Sequence, residues 1–317
     1  MKLGRNLPSL VTMGVFVLLY AACALQFPFM LSTRVAGNLL TDNAFLGVLA
    51  VGMTVVILSG GIDLSVGAVV GFVGVLLALL IGSGVDPYLA FAIALAAGTL
   101  FGAVVGAAIH ALQAPPFIVT LAAMFLARGA CFLLTTDSIP INHPAYSDLA
   151  AGGLGLSPSA WVMLLAFVGG GVLLRLTRFG TDVYAVGGGA HAAELMGVRL
   201  GRTTIAIYAF SGFCAALGGI LFSIYTQSAH SLAGVGLELD AIAAVVIGGT
   251  LLSGGYGGVL GSFFGVLILG LIQSYITFTG TLSSWWAKIA TGVLLFLFIA
   301  MQRVILLLRA RRDAAAR

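Results

Sequence analysis

About ten runs of apolar, almost uncharged residues divide this chain, and their lengths restrict its fold more than any motif does. They cover 9–30, 44–58, 64–81, 88–112, 117–134, 160–176, 204–227, 237–252, 256–275 and 285–307. A bilayer core of about 30 Å takes roughly 20 residues at helical rise. A chain in lipid must satisfy its backbone N–H and C=O groups internally, which helices do within one segment. The sequence therefore predicts an all-α, polytopic helical membrane protein of about ten transmembrane helices, read as one transmembrane domain over 1–317. Its composition excludes an ordinary soluble domain: 61% of residues are hydrophobic and 8% charged, against about a quarter charged in soluble proteins.

The 14 basic residues give a net charge of +4, but they cluster between apolar runs and at the chain ends, so membrane orientation explains them better than nucleic acid does. With the amino terminus in the cytoplasm, Lys2, Arg5, Arg175, Arg178, Arg199, Arg202, Arg303, Arg309, Arg311, Arg312 and Arg317 all fall inside. Arg34 falls outside, and Arg128 and Lys288 lie within or near spans. Both termini are then cytoplasmic, and the Pro-, Asn- and Asp-containing segment 135–159 is external, either a solvated connector or a cover for a pore mouth. The run 9–30 exceeds the 7 to 15 apolar residues of a cleavable signal and is read as a retained helix. Cys23, Cys131 and Cys214 lie in apolar runs without metal-ligand spacing and read as buried thiols.

Two segments repeat each other: 50–71, AVGMTVVILSGGIDLSVGAVVG, and 244–265, AVVIGGTLLSGGYGGVLGSFFG. Both would cross in the same direction, making two related halves around 44–112 and 237–307. The helices entering Gly60-Gly61 and Gly254-Gly255 are too short to span unaided, so these glycines are expected to break the chain where protein or a water-filled cavity surrounds it. Paired broken spans point to a translocation path. Asp63 follows the first break, where it either caps the next helix or meets substrate; Asp240, with Glu238, opens the equivalent helix in the second half. Asn43, Thr54, Ser59, Gln227, Thr250, Ser253 and Gln273 supply hydroxyl and amide groups suited to a neutral sugar, completing the candidate path with Gly60, Gly61, Asp63, Asp240, Gly254 and Gly255. Arg128 and Lys288 either pair with acids or reach the outer interface.

The hydrophilic stretch 177–203 is too long for a simple turn and cytoplasmic by the charge argument. After Gly187, Gly188 and Gly189, the residues Ala190, His191, Ala192, Ala193, Glu194, Leu195 and Met196 favour a two-turn helix that Gly197 ends. Such a helix alone is marginal, and docking into a partner's groove, with Leu195 and Met196 as anchors, would hold it. No phosphate-binding loop accompanies Lys2 or Lys288, and neither GxSxG nor HExxH occurs, so an enzyme is not expected and no metal site is found.

Together SGGIDLSVG (59–67), RFGTDVYAVGG (178–188), AAELMGV (192–198) and VIGGTLLSGG (246–255) resemble the membrane subunits of ribose-type ATP-binding cassette (ABC) sugar importers. TDNAFLG (41–47), SIPINHP (138–144), LELDAIA (237–243) and GTLSSWW (280–286) are similar to the galactofuranose-importing branch. The resemblance implies a bacterial inner-membrane permease moving a monosaccharide inward by alternating access. Its implied partners are a second homologous permease, a cytoplasmic ATPase that holds the ATP and magnesium, and a periplasmic sugar-binding protein. It makes 187–198 the coupling helix that meets the ATPase; Gly189 stands where the family usually has Asn. An ion-coupled secondary sugar transporter using Asp63, Asp240 or Arg128 is the rival reading.

Overall fold

The computed structural model describes residues 3–151, 156–283 and 285–315. Among them, fourteen α-helices run in the order α1 (Leu3–Gln26), α2 (Thr33–Asp42), α3 (Ala44–Leu58), α4 (Val66–Gly82), α5 (Pro87–Leu112), α6 (Pro116–Leu134), α7 (Pro144–Ala151), α8 (Pro158–Leu176), α9 (Arg178–Gly188), α10 (Ala190–Leu195), α11 (Leu200–Thr226), α12 (Leu237–Ile247), α13 (Val259–Thr279) and α14 (Trp285–Ala315). Their starts follow local chemistry. Asp86 accepts from the amides of Tyr88 and Leu89 ahead of Pro87, and Ser157 accepts from that of Ala160 ahead of Pro158. In both, proline occupies a position whose N–H has no helical partner.

The centre of the bundle is α3. Every residue from Leu46 to Leu58 is buried, which is why the segment is apolar on all sides rather than on one stripe. The long helices α5 and α11 press together where Gly98, Gly102 and Gly106 meet Gly212, Ala216 and the backbone of Tyr208 and Ile205. A Cβ on Gly102 would collide with the Tyr208 carbonyl, so this glycine stripe sets backbone-to-backbone packing of the kind membrane helices use in place of hydrophobic exclusion. All three cysteines are buried free thiols.

Each of the ten apolar runs holds a helix, but length and apolarity alone do not reach ten spans. Among the described residues six helices are long and apolar enough to cross a membrane, or seven if α2 and α3, bent by 54°, form one span, and α4 and the apolar part of α14 are shorter. Arg34 lies in the first turn of α2, and the chain bends at Asn43, whose side chain donates to the Leu39 carbonyl at 2.8 Å instead of capping α3. The polar run Thr41-Asp42-Asn43 disguised a continuous helical path as a loop. The run 237–252 is also shorter than expected, since α12 stops at Ile247 where Gly248-Gly249 begin the break.

The segment 135–159, expected outside the membrane, is more than a solvated connector. Ile139–Pro140 pairs antiparallel with Ser228–Ala229, and Tyr146 is fully buried with its hydroxyl 3.3 Å from that of Ser223 on α11. Residues 152–155 of this segment, and Lys2 and Arg317 of the charge argument, lie outside the described residues; the side chains of Arg5, Arg303, Arg309, Arg311 and Arg312 do too.

Candidate coupling junction

Two helix–break–helix units, α3 to α4 and α12 to α13, pack face to face, and their glycine turns touch. The Gly255 amide donates to the Leu58 carbonyl at 2.8 Å, so the end of α3 is closed by the break of the other unit. That bond satisfies a terminal helix carbonyl that lipid cannot. Gly60, Gly254 and Gly255 all have positive φ, at 84°, 83° and 72°, a region that L side chains avoid. Any Cβ on Gly254 would also sit 2.8 Å from the Gly60 nitrogen.

A third glycine enters from α9. A Cβ on Gly187 would strike the Leu58 carbonyl and lie 2.5 Å from the Gly255 nitrogen. Gly187 is therefore the point where the cytoplasmic segment, by the charge reading, rests on both breaks at once. Three residues before it, the Tyr184 hydroxyl donates to the Gly257 carbonyl at 2.8 Å, fastening α9 to the second break.

The helix beyond this junction has the length the sequence suggests. Gly189, at φ 156°, opens α10 without a side-chain cap, and Gly197, at φ 89°, ends the turn that follows. Ala193 is buried against the protein, whereas Leu195 is 78% and Met196 73% exposed. Ala190, His191, Ala192 and Glu194 are exposed as well. Two large apolar side chains are thus presented outward from a helix too short to persist alone.

On the other side of α10, α11 returns to the first break. Ser211 donates to Asp63 Oδ2 at 2.7 Å, while Asp63 Oδ1 accepts from the amide and hydroxyl of Ser65 at 2.9 and 2.6 Å. The neighbouring Ile62 carbonyl accepts from Thr120 of α6 at 3.1 Å. Asp63 is only 2% exposed. Its bonds fold the break into a turn ahead of Ser65 and tie it to α11, so it does not bond the first helical amides as the capping expectation supposed. The Tyr208 hydroxyl, one turn from Ser211, lies over Gly61 and has no hydrogen-bond partner among the described residues.

The remaining path candidates divide into two sets. Ser59, Gly60, Gly61, Ser253, Gly254 and Gly255 gather at the junction. Thr54 is fully buried and shares a hydrogen bond of 2.7 Å with Ser262 of α13, and Thr250 is fully buried beside Gly257 with its hydroxyl unpartnered among the described residues. Asn43 lies at the α2–α3 bend against Gly270, Gln227 ends α11, and exposed Gln273 is on α13; none of these three meets the junction. Asp240 pairs with Lys288 of α14 at 2.6 Å. Arg128 pairs with no acid among the described residues: it donates to the carbonyls of Ser231 and Ala233 at 2.7 and 2.6 Å. Ser211, Tyr208, Tyr184, Thr120 and Ser262 were not singled out from sequence. Tyr208 and Ser211, three apart in an otherwise apolar span, carried a readable signal; the others are lone polar residues.

A family model for the permease component of branched-chain amino acid transport systems matches residues 35–299. The chain belongs to this permease family. The permease is 58% identical to the inner membrane ABC transporter permease protein YjfF of Escherichia coli K12, over 98% of this chain and 96% of that protein. It is 39% identical to the ribose import permease RbsC of Bacillus subtilis 168, over 92% of this chain and 91% of that one. It is 36% identical to the fructose import permease FruG of Bifidobacterium longum, over 96% and 93%. No solved structure matches. The matched range holds both glycine breaks and the α9–α10 segment, and these relatives are transport components, so the chain is a transport subunit and not an enzyme.

Proposed function

We propose that this permease, acting as one domain of two related halves in a bacterial inner membrane, imports a monosaccharide, with galactofuranose as the first candidate, by alternating access. A cytoplasmic ATPase holding ATP and magnesium drives it, a second homologous permease completes the path, and a periplasmic sugar-binding protein delivers the cargo. The observation that carries this reading is the continuity from α10 to the breaks. Leu195 and Met196 point away from the protein, and Gly187, two residues before α10, rests on Leu58 and Gly255. Displacing α10 must shift α9, and α9 cannot shift without moving both glycine turns, because their backbones are in contact.

The turns suit this task. Interiors pack at near-crystalline density, so a small displacement at one end of a contact chain selects between discrete arrangements rather than being absorbed. The hydroxyls of Ser59, Thr54, Thr250 and Ser253 provide neutral donors and acceptors, appropriate to a sugar without fixed charge. Galactofuranose is favoured by the four motifs at 41–47, 138–144, 237–243 and 280–286.

Uptake into vesicles containing the complete transporter tests both levels. Dependence on ATP and the ATPase, with indifference to collapsed ion gradients, is expected; uptake that persists without the ATPase and stops with the gradient overturns the mechanism. Galactofuranose should outcompete ribose and galactose, and preference for either of those sugars overturns the substrate assignment alone.

A further inference from the structure

Tyr208 carries a hydroxyl that the present arrangement leaves unused. The residue is 2% exposed, and its oxygen lies over Gly61 without a hydrogen-bond partner among the described residues. A buried hydroxyl in that condition is destabilising, because unfolding would give it water to bond. Tyr208 stands three positions before Ser211, so the two share one side of α11. Both face the first break: Ser211 holds Asp63, and Tyr208 covers Gly61, two residues earlier in the same turn.

Asp63 has a matching free position. A carboxylate offers about four lone-pair sites, and three are taken, by the Ser65 amide, the Ser65 hydroxyl and the Ser211 hydroxyl. The Asp63 charge also acts on the Tyr208 hydroxyl through space, so the two groups are neighbours without a bond. The Ser65 bonds lie within the turn and travel with it. Among the described residues, two side-chain bonds tie residues 61–65 to other helices: Ser211 to Asp63, and Thr120 to the Ile62 carbonyl. Each donor has a second acceptor at hand. The Thr120 hydroxyl already lies 3.3 Å from the Phe117 carbonyl of its own helix, and a serine inside a helix can turn its hydroxyl to the carbonyl four residues back, here that of Ile207.

We infer that Asp63 has two seats on α11: the Ser211 hydroxyl in the state seen here, and the Tyr208 hydroxyl in the opposite access state, which Tyr208 holds as a positioning residue. The seats are three residues apart, about 4.5 Å along the helix axis, and Tyr208 is the one nearer α10. Exchange between them carries the first break toward the α10 end of α11, a step between discrete arrangements of the size that packed helices make. The push arrives through Gly187, which rests on the Leu58 carbonyl where α3 enters that break. In the second state no hydroxyl of the pair is left over, since Tyr208 bonds Asp63 and Ser211 bonds its own helix. This rests on the alternating-access part of the proposed function and adds to it a switch with named donors.

Tyr208→Phe removes a single oxygen and tests the second seat. The unfolding temperature of the purified permease should hold or rise, because the resting state does not bond that oxygen. In vesicles carrying the complete transporter the maximal rate of uptake should fall about fivefold or more, with an unchanged KM for the sugar. Tyr225→Phe, at an exposed position of the same helix, should behave as the parent. A lowered unfolding temperature for Tyr208→Phe means that the hydroxyl is bonded at rest, to a trapped water or otherwise, and overturns the inference. A raised KM or a changed sugar preference makes Tyr208 a substrate contact and overturns it too. Fluorotyrosine at 208 identifies the acceptor: one fluorine resonance is expected at rest and a second when ATP and vanadate arrest the transporter, with Asp63→Asn displacing the second. A single unchanged resonance, or a second one that Asp63→Asn leaves in place, overturns the exchange. Uptake by the parent without the ATPase sinks the proposed mechanism itself, whereas ATP-driven uptake that Tyr208→Phe leaves intact sinks this switch alone.

Discussion

Gly187 sits where α9 meets both glycine breaks. Its missing Cβ is the space in which the Leu58 carbonyl and the Gly255 nitrogen sit, so Gly187→Ala should push α9 off both breaks. We expect uptake to fall by roughly tenfold or more, equivalent to at least ~1.4 kcal/mol in the rate-limiting step. The adjacent Gly188 has nothing within 4 Å of a built Cβ, and Gly188→Ala should leave uptake near normal; equal losses at the two positions would remove the junction from the mechanism. The sequence marked 187–189 as a glycine run but could not distinguish its members, because steric need arises from Leu58 and Gly255, both distant in the chain. Asp63 was equally visible and equally underdetermined. Its chemistry required a hydrogen-bonded home, yet nothing local named Ser211 as the donor. Ser211→Ala strips that donor from a buried carboxylate and should cost about 1–3 kcal/mol, read as a lowered unfolding temperature of the purified permease. Ser211→Thr, which keeps the hydroxyl, should restore most of it.

At the level of elements, the helices were legible from length alone, whereas the connections between them were not. Apolar runs of about 20 residues in α5, α6, α8, α11 and α13 became single spans with ends within a few residues of expectation, because a bilayer imposes its thickness on the sequence directly. The bend at Asn43 and the non-helical segment 230–236 before α12 escaped notice for the opposite reason. Both use polar or glycine-rich residues that resemble loops, and only their partners, Gly270 for Asn43 and Arg128 with α4 for 230–236, show that they pack against the bundle. The repeat of Ser-Gly-Gly at 59–61 and 253–255 did anticipate two broken units, but contact between the breaks follows from three-dimensional packing of the halves. The short helix α10 allows a test confined to one element. Leu195→Glu with Met196→Glu alters only exposed positions, so the unfolding temperature of the isolated permease should stay within about 2 °C of the parent, in keeping with the small effect of surface changes. Co-purification of the ATPase should fall to background. If the ATPase remains bound, α10 is not its docking site.

For the whole molecule, direction across the membrane decides whether the junction can do its work, since an ATP-driven partner must meet α10 from the cytoplasm. Arg175, Arg178, Arg199 and Arg202 flank α9 and α10 on both sides, and each arginine drawn to a helix centre costs on the order of 2.5–3.5 kcal/mol. Four of them bracketing one segment resist translocation, which is the charge argument for placing that segment on the inner face. Thiol labelling tests the arrangement cleanly, because Cys23, Cys131 and Cys214 are buried and contribute little background. A cysteine at Leu195 should react with a membrane-impermeant maleimide only in inside-out vesicles, and one at Asp137, exposed in the segment after α6, only in right-side-out vesicles. The reverse pattern would put α10 beyond reach of any ATPase and leave Gly187 resting on the two breaks with no motor to move it.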